Sequence, residues 1–389
     1  MVARLGHGDE RPDQADAAED GDEGDHADED VVDGHAPIVL NPTGPTTRVG
    51  PSPDTTRSST MITSSSESQA AAFRDGRIPA TEHLDADTVV IAVPTGDPGN
   101  PFTLCSVLFG TDGRAIVIDP GTDTPEGREH LLRELRGIGV TTLTGVVVTH
   151  LHPDHLGLAG MLRDELAAPV LMHRLEDEAA GSTPPGPADL AAALDEWGVP
   201  ADDTTVRPWA TGATAPAGHL GDTRADRTLE DGDLLTLPGR SIRVLHTPGH
   251  TTGHLTLRDE DRGYLFTGDH VLPTIFSGLG LGAHTSENPV TAYLSSLDRV
   301  RGYDGDQVVP GHGFRFTGLA DRCDELAAHH LRRADEVRAV LLDDPDASVW
   351  TIASRIGWSA GWDALTGLLR VSALTQTDWH RARLQQLAG

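Results

Sequence analysis

Lysine is absent from this 389-residue chain, so its 30 basic side chains are all arginines, set against 60 aspartates and glutamates for a formal net charge of −30. A field of that sign repels polyanions and slows encounter with nucleic acid or anionic membranes. Neither is an expected partner, and a small-molecule substrate is. Cysteine is nearly absent too: Cys105 and Cys323 lie far apart and match no zinc or redox spacing. Cys105 sits in an apolar run with Leu104, Val107, Leu108 and Phe109, which reads as a buried free thiol rather than half of a disulfide. No apolar stretch approaches 18 residues, which excludes a membrane-spanning helix. Residues 1–11 lack the apolar core of a signal segment, so a cytoplasmic location is expected. No serine or cysteine stands in a convincing triad, and a homo-oligomer is left open.

What the chain does have is a dense run of metal-binding side chains. His150, His152, Asp154 and His155 occupy the string Thr-His-Leu-His-Pro-Asp-His. Imidazole and carboxylate together suit zinc, iron or manganese. One tight turn cannot aim all four at a single ion without strain, so two neighbouring ions are expected. The string follows the β-type run Gly145–Val148 and precedes a helical pattern through Leu156, Leu158, Met161, Leu162 and Leu166. Ligands on a loop after a buried strand are held rigidly while facing solvent.

Three later elements repeat that design. Thr-Pro-Gly-His at 247–250, Phe-Thr-Gly-Asp-His at 266–270 and Val-Pro-Gly-His-Gly at 309–313 each close a short apolar run with a glycine turn that presents His250, Asp269 or His312. Glycine there allows close backbone approach. Seven ligands divide well between two ions: His150, His152 and His250 for one, Asp154, His155 and His312 for the other, and Asp269 between them.

With these motifs in order from about Asp87 to His312, the chain resembles the metallo-β-lactamase superfamily of dinuclear metallohydrolases. The resemblance implies an α/β fold, an αββα sandwich with metals at the sheet edge. It also implies a supporting rather than ligating role for Asp119, in the strand-ending Ile-Asp-Pro-Gly of 118–121. Antibiotic-hydrolysing members commonly carry Cys or Ser where this chain has Asp269, and a carboxylate there is more similar to the thioesterase, lactonase, nuclease and phosphodiesterase branches. No basic patch for glutathione is evident. The 278–288 segment, 293–297 and a helical tail resemble lactamase-like hydrolases with a C-terminal helical extension, a group that includes endoribonucleases.

The expected activity is therefore hydrolysis of a small ester, thioester or lactone by a hydroxide bridging two zinc ions, with manganese or iron as alternatives. Paired ions lower the pKa of such a water towards ~7. Asp154 is expected to orient this nucleophile as well as to ligate. The alternatives are an endoribonuclease or phosphodiesterase with the same centre, weighed down by the acidic charge, and a single-iron sulfur dioxygenase, weighed down by the full ligand set. His284, in the loop before Asn288, and Arg315, after the last ligand, are candidates to touch substrate. For these two, as for His254 and His270, a structural role is as good a reading.

The chain divides into a disordered acidic, Ser/Thr/Pro-rich tail over 1–80, a catalytic domain over 81–318 and a helical, possible winged-helix extension over 319–389. The tail has too little apolar surface to offset its ordering entropy. Residues 181–225 are Pro-, Gly- and Ala-rich and read as part of a lid, with Trp197 and Trp209 as lid or packing residues. A helix is expected over 125–137, another over 156–167, and helices over 319–342, 350–356 and 362–374.

Overall fold

A computed structural model describes residues 62–182, 186–211, 223–282 and 287–388. Most of the expected tail, His284 and part of the expected lid lie outside them. Strand β1 (Thr63–Ser64) and helix α1 (Glu67–Arg74) open the described chain. One seven-stranded sheet follows: β2 (Glu82–His83), β3 (Thr88–Asp97), β4 (Asn100–Phe109), β5 (Ala115–Ile118), β6 (Leu143–Val147), β7 (Val170–His173) and β8 (Arg227–Leu229), neighbouring one another in chain order. The second sheet runs β9 (Leu234–Leu237), β10 (Arg240–His246), β11 (Leu255–Asp259), β12 (Tyr264–Gly268), β13 (Gln307–Pro310) and β14 (Phe316–Thr317), with β1 on its outer edge beside β14.

Alternation along the strands explains why the sheets stack. In β3, Val89, Ile91 and Val93 face an outer apolar cluster, whereas Val90 and Ala92 face the second sheet. In β12 and β13, Leu265 and Val308 point outward and Phe266 and Val309 inward. Strands apolar on both faces must be covered on both. The inner faces meet around Phe102, Ile116, Val147, Val244, Leu257 and Phe266. Outside the first sheet lie α2 (Pro125–Gly137) and α4 (Ala159–Leu166), and outside the second α7 (Pro289–Arg301) and α8 (Leu319–Asp343). The result is the expected αββα sandwich.

Several expectations need correction. Residues 62–80, expected within the disordered tail, instead carry β1 and α1, because tertiary partners supply what local composition lacks. β1 pairs with β14, Ser66 donates to Glu82 Oε1 (2.6 Å), and Gln69 Oε1 accepts the Arg315 amide (3.1 Å). The helix expected over 156–167 is two: α3 (Pro153–Leu156) and α4. The ladder breaks where the Leu158 amide donates to the Gly121 carbonyl instead. No strand follows Thr317 among the described residues, so the helical extension has no wing. Its last helix, α10 (Gly367–Ala388), starts after a single 3-10 turn at Trp362–Ala364 and runs well past Leu374.

The tail of the sandwich and the expected lid belong together. Trp197, just after α6 (Pro187–Glu196), is buried with Leu194 and Val206 against Val349 of α9 (Val349–Arg355) and Leu374 of α10. Trp209 packs on Gly367, where a Cβ would come within 2.6 Å of the indole. Both tryptophans are packing residues here. Both cysteines are buried free thiols, and no helix among the described residues is long and apolar enough to cross a membrane.

Candidate metal centre

The ends of five strands converge at one edge of the sandwich. β5 and β6 run parallel and deliver Asp119 and the 149–155 turn, and β12 and β13 run parallel and deliver Asp269 and His312. β10 hands over to the Thr247–His254 turn that carries His250. Two groups of donors form there: His150, His152, His250 and Asp269, and Asp154, His155 and His312, each with its ligand atoms within 4.8 Å of one another. Asp269 faces both groups. Its Oδ2 is 3.6 Å from His250 Nε2, and its Oδ1 is 3.4 Å from both His155 Nε2 and His312 Nε2.

Local sequence makes this approach feasible. A Cβ on Gly311 would lie 2.6 Å from the His155 ring and 2.7 Å from Asp269 Oδ1. Gly249 has φ of +139°, and a Cβ there would lie 2.6 Å from Tyr293 Cα. Neither position tolerates a side chain. Pro153 at the first turn of α3 follows His152 and brings Asp154 and His155 round on one short helical turn.

The outer nitrogens decide what the inner ones offer. Thr149 Oγ1 donates to Asp119 Oδ2 (2.8 Å) and therefore accepts from His150 Nδ1 (3.0 Å). His155 Nδ1 donates to the same Asp119 oxygen (2.8 Å), His250 Nδ1 to the Gly278 carbonyl (2.7 Å) and His312 Nδ1 to the Phe102 carbonyl (3.0 Å). In its neutral form each ring so held keeps a lone pair on Nε2, and these lone pairs turn inward. His155 Nε2 and His312 Nε2 are 3.1 Å apart, His150 Nε2 and His152 Nδ1 2.9 Å, and His152 Nδ1 and His250 Nε2 3.1 Å. Asp269 Oδ1 is buried without a hydrogen-bond partner. Acceptors crowded this closely call for a cation, and the residues fit a metal.

Charge points the same way. Burial and neighbouring imidazoles hold His150 well below the usual histidine value, and burial beside His250 holds His152 at about 3. Burial opposes a charge on His155 as well, yet Asp269, Asp119 and Asp154 outweigh it and push its pKa well upward. His312 is raised in the same way by Asp269 and Asp154. Despite burial, Asp154 and Asp269 stay well below the ordinary carboxylate value, held there by His155 and His312.

Other candidates fall outside this ring. Arg315 is buried and paired with Glu82, and its Nη1 donates to Gln307 Oε1 (3.1 Å), so it is spent inside the fold rather than offered to a substrate anion. His254 is buried; its Nε2 accepts the Asp269 amide (3.2 Å), and it orients that residue without joining the donor set. His270 is buried against Tyr293. Sequence reasoning missed Asn100, whose Nδ2 lies 3.2 Å from both Asp154 Oδ2 and His312 Nε2. It also missed Glu176, buried on the helix that follows β7. No spacing marks either one.

The metallo-beta-lactamase superfamily model matches residues 99–312. The chain is 28% identical to the probable metallo-hydrolase YqjP of Bacillus subtilis (strain 168), over 67% of this chain and 82% of that protein. It is 24% identical to the atrochrysone carboxyl ACP thioesterase dmxR1 of Cryptosporiopsis sp. (strain 8999), over 65% of this chain and 62% of that one. Among solved structures, a metallo-beta-lactamase family protein from Thermus thermophilus is 26% identical with a TM-score of 0.63, covering 79% of this chain and 95% of that one.

Proposed function

This chain belongs to the metallo-β-lactamase superfamily, and from that premise we propose that it is a dinuclear metal-dependent hydrolase of a small ester, thioester or lactone. The observation that carries the reading is the set of inward lone pairs, fixed by Asp119, Thr149 and two backbone carbonyls. His150, His152 and His250 would hold one ion, Asp154, His155 and His312 the other, and Asp269 would serve both, with zinc the ion that this mixed donor set suits. Such a pair of ions supplies an acidified water and polarises the oxygen of the electrophile.

The side chains supply the rest. Asp154 is about a quarter open to solvent (28%) and ionised, so it can accept a hydrogen bond from the attacking water and turn its lone pair towards the electrophile. Asn100 Nδ2 donates to Asp154 Oδ2 and limits the rotation of that carboxylate. His254 and Asp119 hold Asp269 and His155 in register. Thioesterase relatives favour an acyl substrate. The net charge of −30 weighs against a polyanionic one.

Metal content of the purified chain by mass spectrometry, with His152→Ala as control, tests the centre. Two ions per chain, reduced in the variant, are expected. A panel of lactones, esters, thioesters and phosphodiesters then tests the substrate class. Turnover confined to phosphodiesters, or a single iron with oxygen uptake on persulfides, overturns the acyl-hydrolase reading.

A further inference from the structure

Glu176 is fully buried on α5 (Arg174–Ala180), and no cation pairs with it among the described residues. Burial pushes its pKa up to about 7. A carboxylate buried at that cost needs a reason, and its two oxygens give one. Oε2 accepts the Leu151 amide (2.9 Å), and Oε1 accepts the Gly253 amide (2.6 Å). Leu151 lies between His150 and His152, and Gly253 lies in the turn that carries His250. One carboxylate therefore ties together the two backbone turns that present the whole of the His150, His152 and His250 group. Among the described residues Glu176 makes no hydrogen bond to Asp154, His155 or His312, and the first two sit on α3, the helical turn that follows.

The opposing wall is shaped for this contact. A Cβ on Gly253 would lie 2.9 Å from both the Cγ and the amide nitrogen of Glu176, and 2.8 Å from His173 Nδ1. Only glycine lets the turn come close enough to donate. The first turn of α5 is itself anchored, since His173 Nδ1 accepts the Leu175 amide (3.2 Å).

We infer that Glu176 is a positioning residue selective for the His150, His152 and His250 group, acting through the Leu151 and Gly253 amides rather than on substrate or ion. The inference rests on the metal-centre reading above. Glutamine has one carbonyl oxygen where Glu176 has two acceptors, so Glu176→Gln sets an NH2 against one of the two amides. The group it ties should loosen while the other holds.

The test is zinc affinity of the full chain, by competition with a chromophoric chelator, in two backgrounds. His312→Ala cripples the second group and reports the first; His250→Ala does the reverse. Glu176→Gln is expected to weaken zinc about 10–100-fold in the His312→Ala background, the range seen when supporting partners are removed, and less than about 2-fold in the His250→Ala background. Should Glu176→Gln fail to fold, Gly253→Ala strains the same contact from the opposite side and should show the same asymmetry. Equal losses in both backgrounds, or none in either, overturn the inference while leaving the metal centre standing. A wild-type chain that takes up no zinc overturns both readings.

Discussion

Among the described residues two clusters of buried histidines invite comparison, and one of them has the donor set that fits a metal. At the sheet edge, four of the five inward rings are fixed through Nδ1 by a hydroxyl, a carboxylate or a carbonyl, and carboxylates close the ring of donors. In the helical extension, His330 stacks on His380 (5.7 Å between centroids) and meets His329 and Tyr293 edge-on, but both its ring nitrogens are buried without hydrogen-bond partners. No carboxylate joins that cluster into a donor group among the described residues. Gathering imidazoles together is therefore not what makes a site. Outer acceptors that choose the tautomer, and anions that welcome a cation, do.

The sharpest way to break the contrast is Asp269→Ala, which removes a side chain that faces both donor groups. Activity should fall by more than the ~100-fold that supporting residues reach, with loss of bound metal in the same preparation. Next come His250→Ala and His312→Ala, each expected to leave one ion per chain instead of two by mass spectrometry. Asp119→Asn should cost about 10–100-fold in zinc affinity. It touches Thr149 and His155 and so acts on both groups, unlike Glu176→Gln. Retention of wild-type affinity there would mean that ring orientation is set elsewhere.

The smallest effect belongs to the second cluster. Burial, then His329, His380 and Arg333, hold His330 well below the usual histidine value, and burial with Arg333, Arg383 and His329 holds His380 at about 3. Folded, these rings stay neutral while the unfolded chain protonates near 6.5, so their stabilising effect is complete above that pH and erodes as pH falls towards 3. His330→Leu should leave turnover unchanged. It should also lessen the stability lost between pH 6.5 and 5 by on the order of 1–2 kcal/mol, read from thermal midpoints of both proteins across that range. An unaltered acid slope would show that the cluster is hydrated rather than dry.

Every metal-candidate residue was readable from the chain, because each closes an apolar strand with a glycine or proline turn, and strand, turn and ligand are contiguous in sequence. The supporting residues were not. Glu176 lies in Arg-Leu-Glu-Asp-Glu, which reads as a solvated helix, and only the fold reveals that its face is turned inward. Asn100 stands in an unremarkable hairpin. Arg315 is the converse case: an arginine beside the last ligand looks available until Glu82, far off in sequence, claims it together with nearby Gln307. Residues 62–80 looked like tail because their partners, Phe316, Thr317 and Arg315, come some 250 positions later in a chain of 389.

That last pairing has a consequence for synthesis. β1 leaves the ribosome early, yet its neighbour β14 follows His312 and emerges only after all seven donors have been made. Chains emerge at about 5–20 residues per second, so β1 and α1 wait on the order of ten seconds or more for their place. Through that interval β1 has no strand to pair with, and the His150–His155 turn, once made, waits for His250 and then His312. A chain stalled between residues 270 and 311 would expose an unpaired edge on the second sheet alongside a ligand set that lacks His312, and that edge closes only once residues 316–317 have been made.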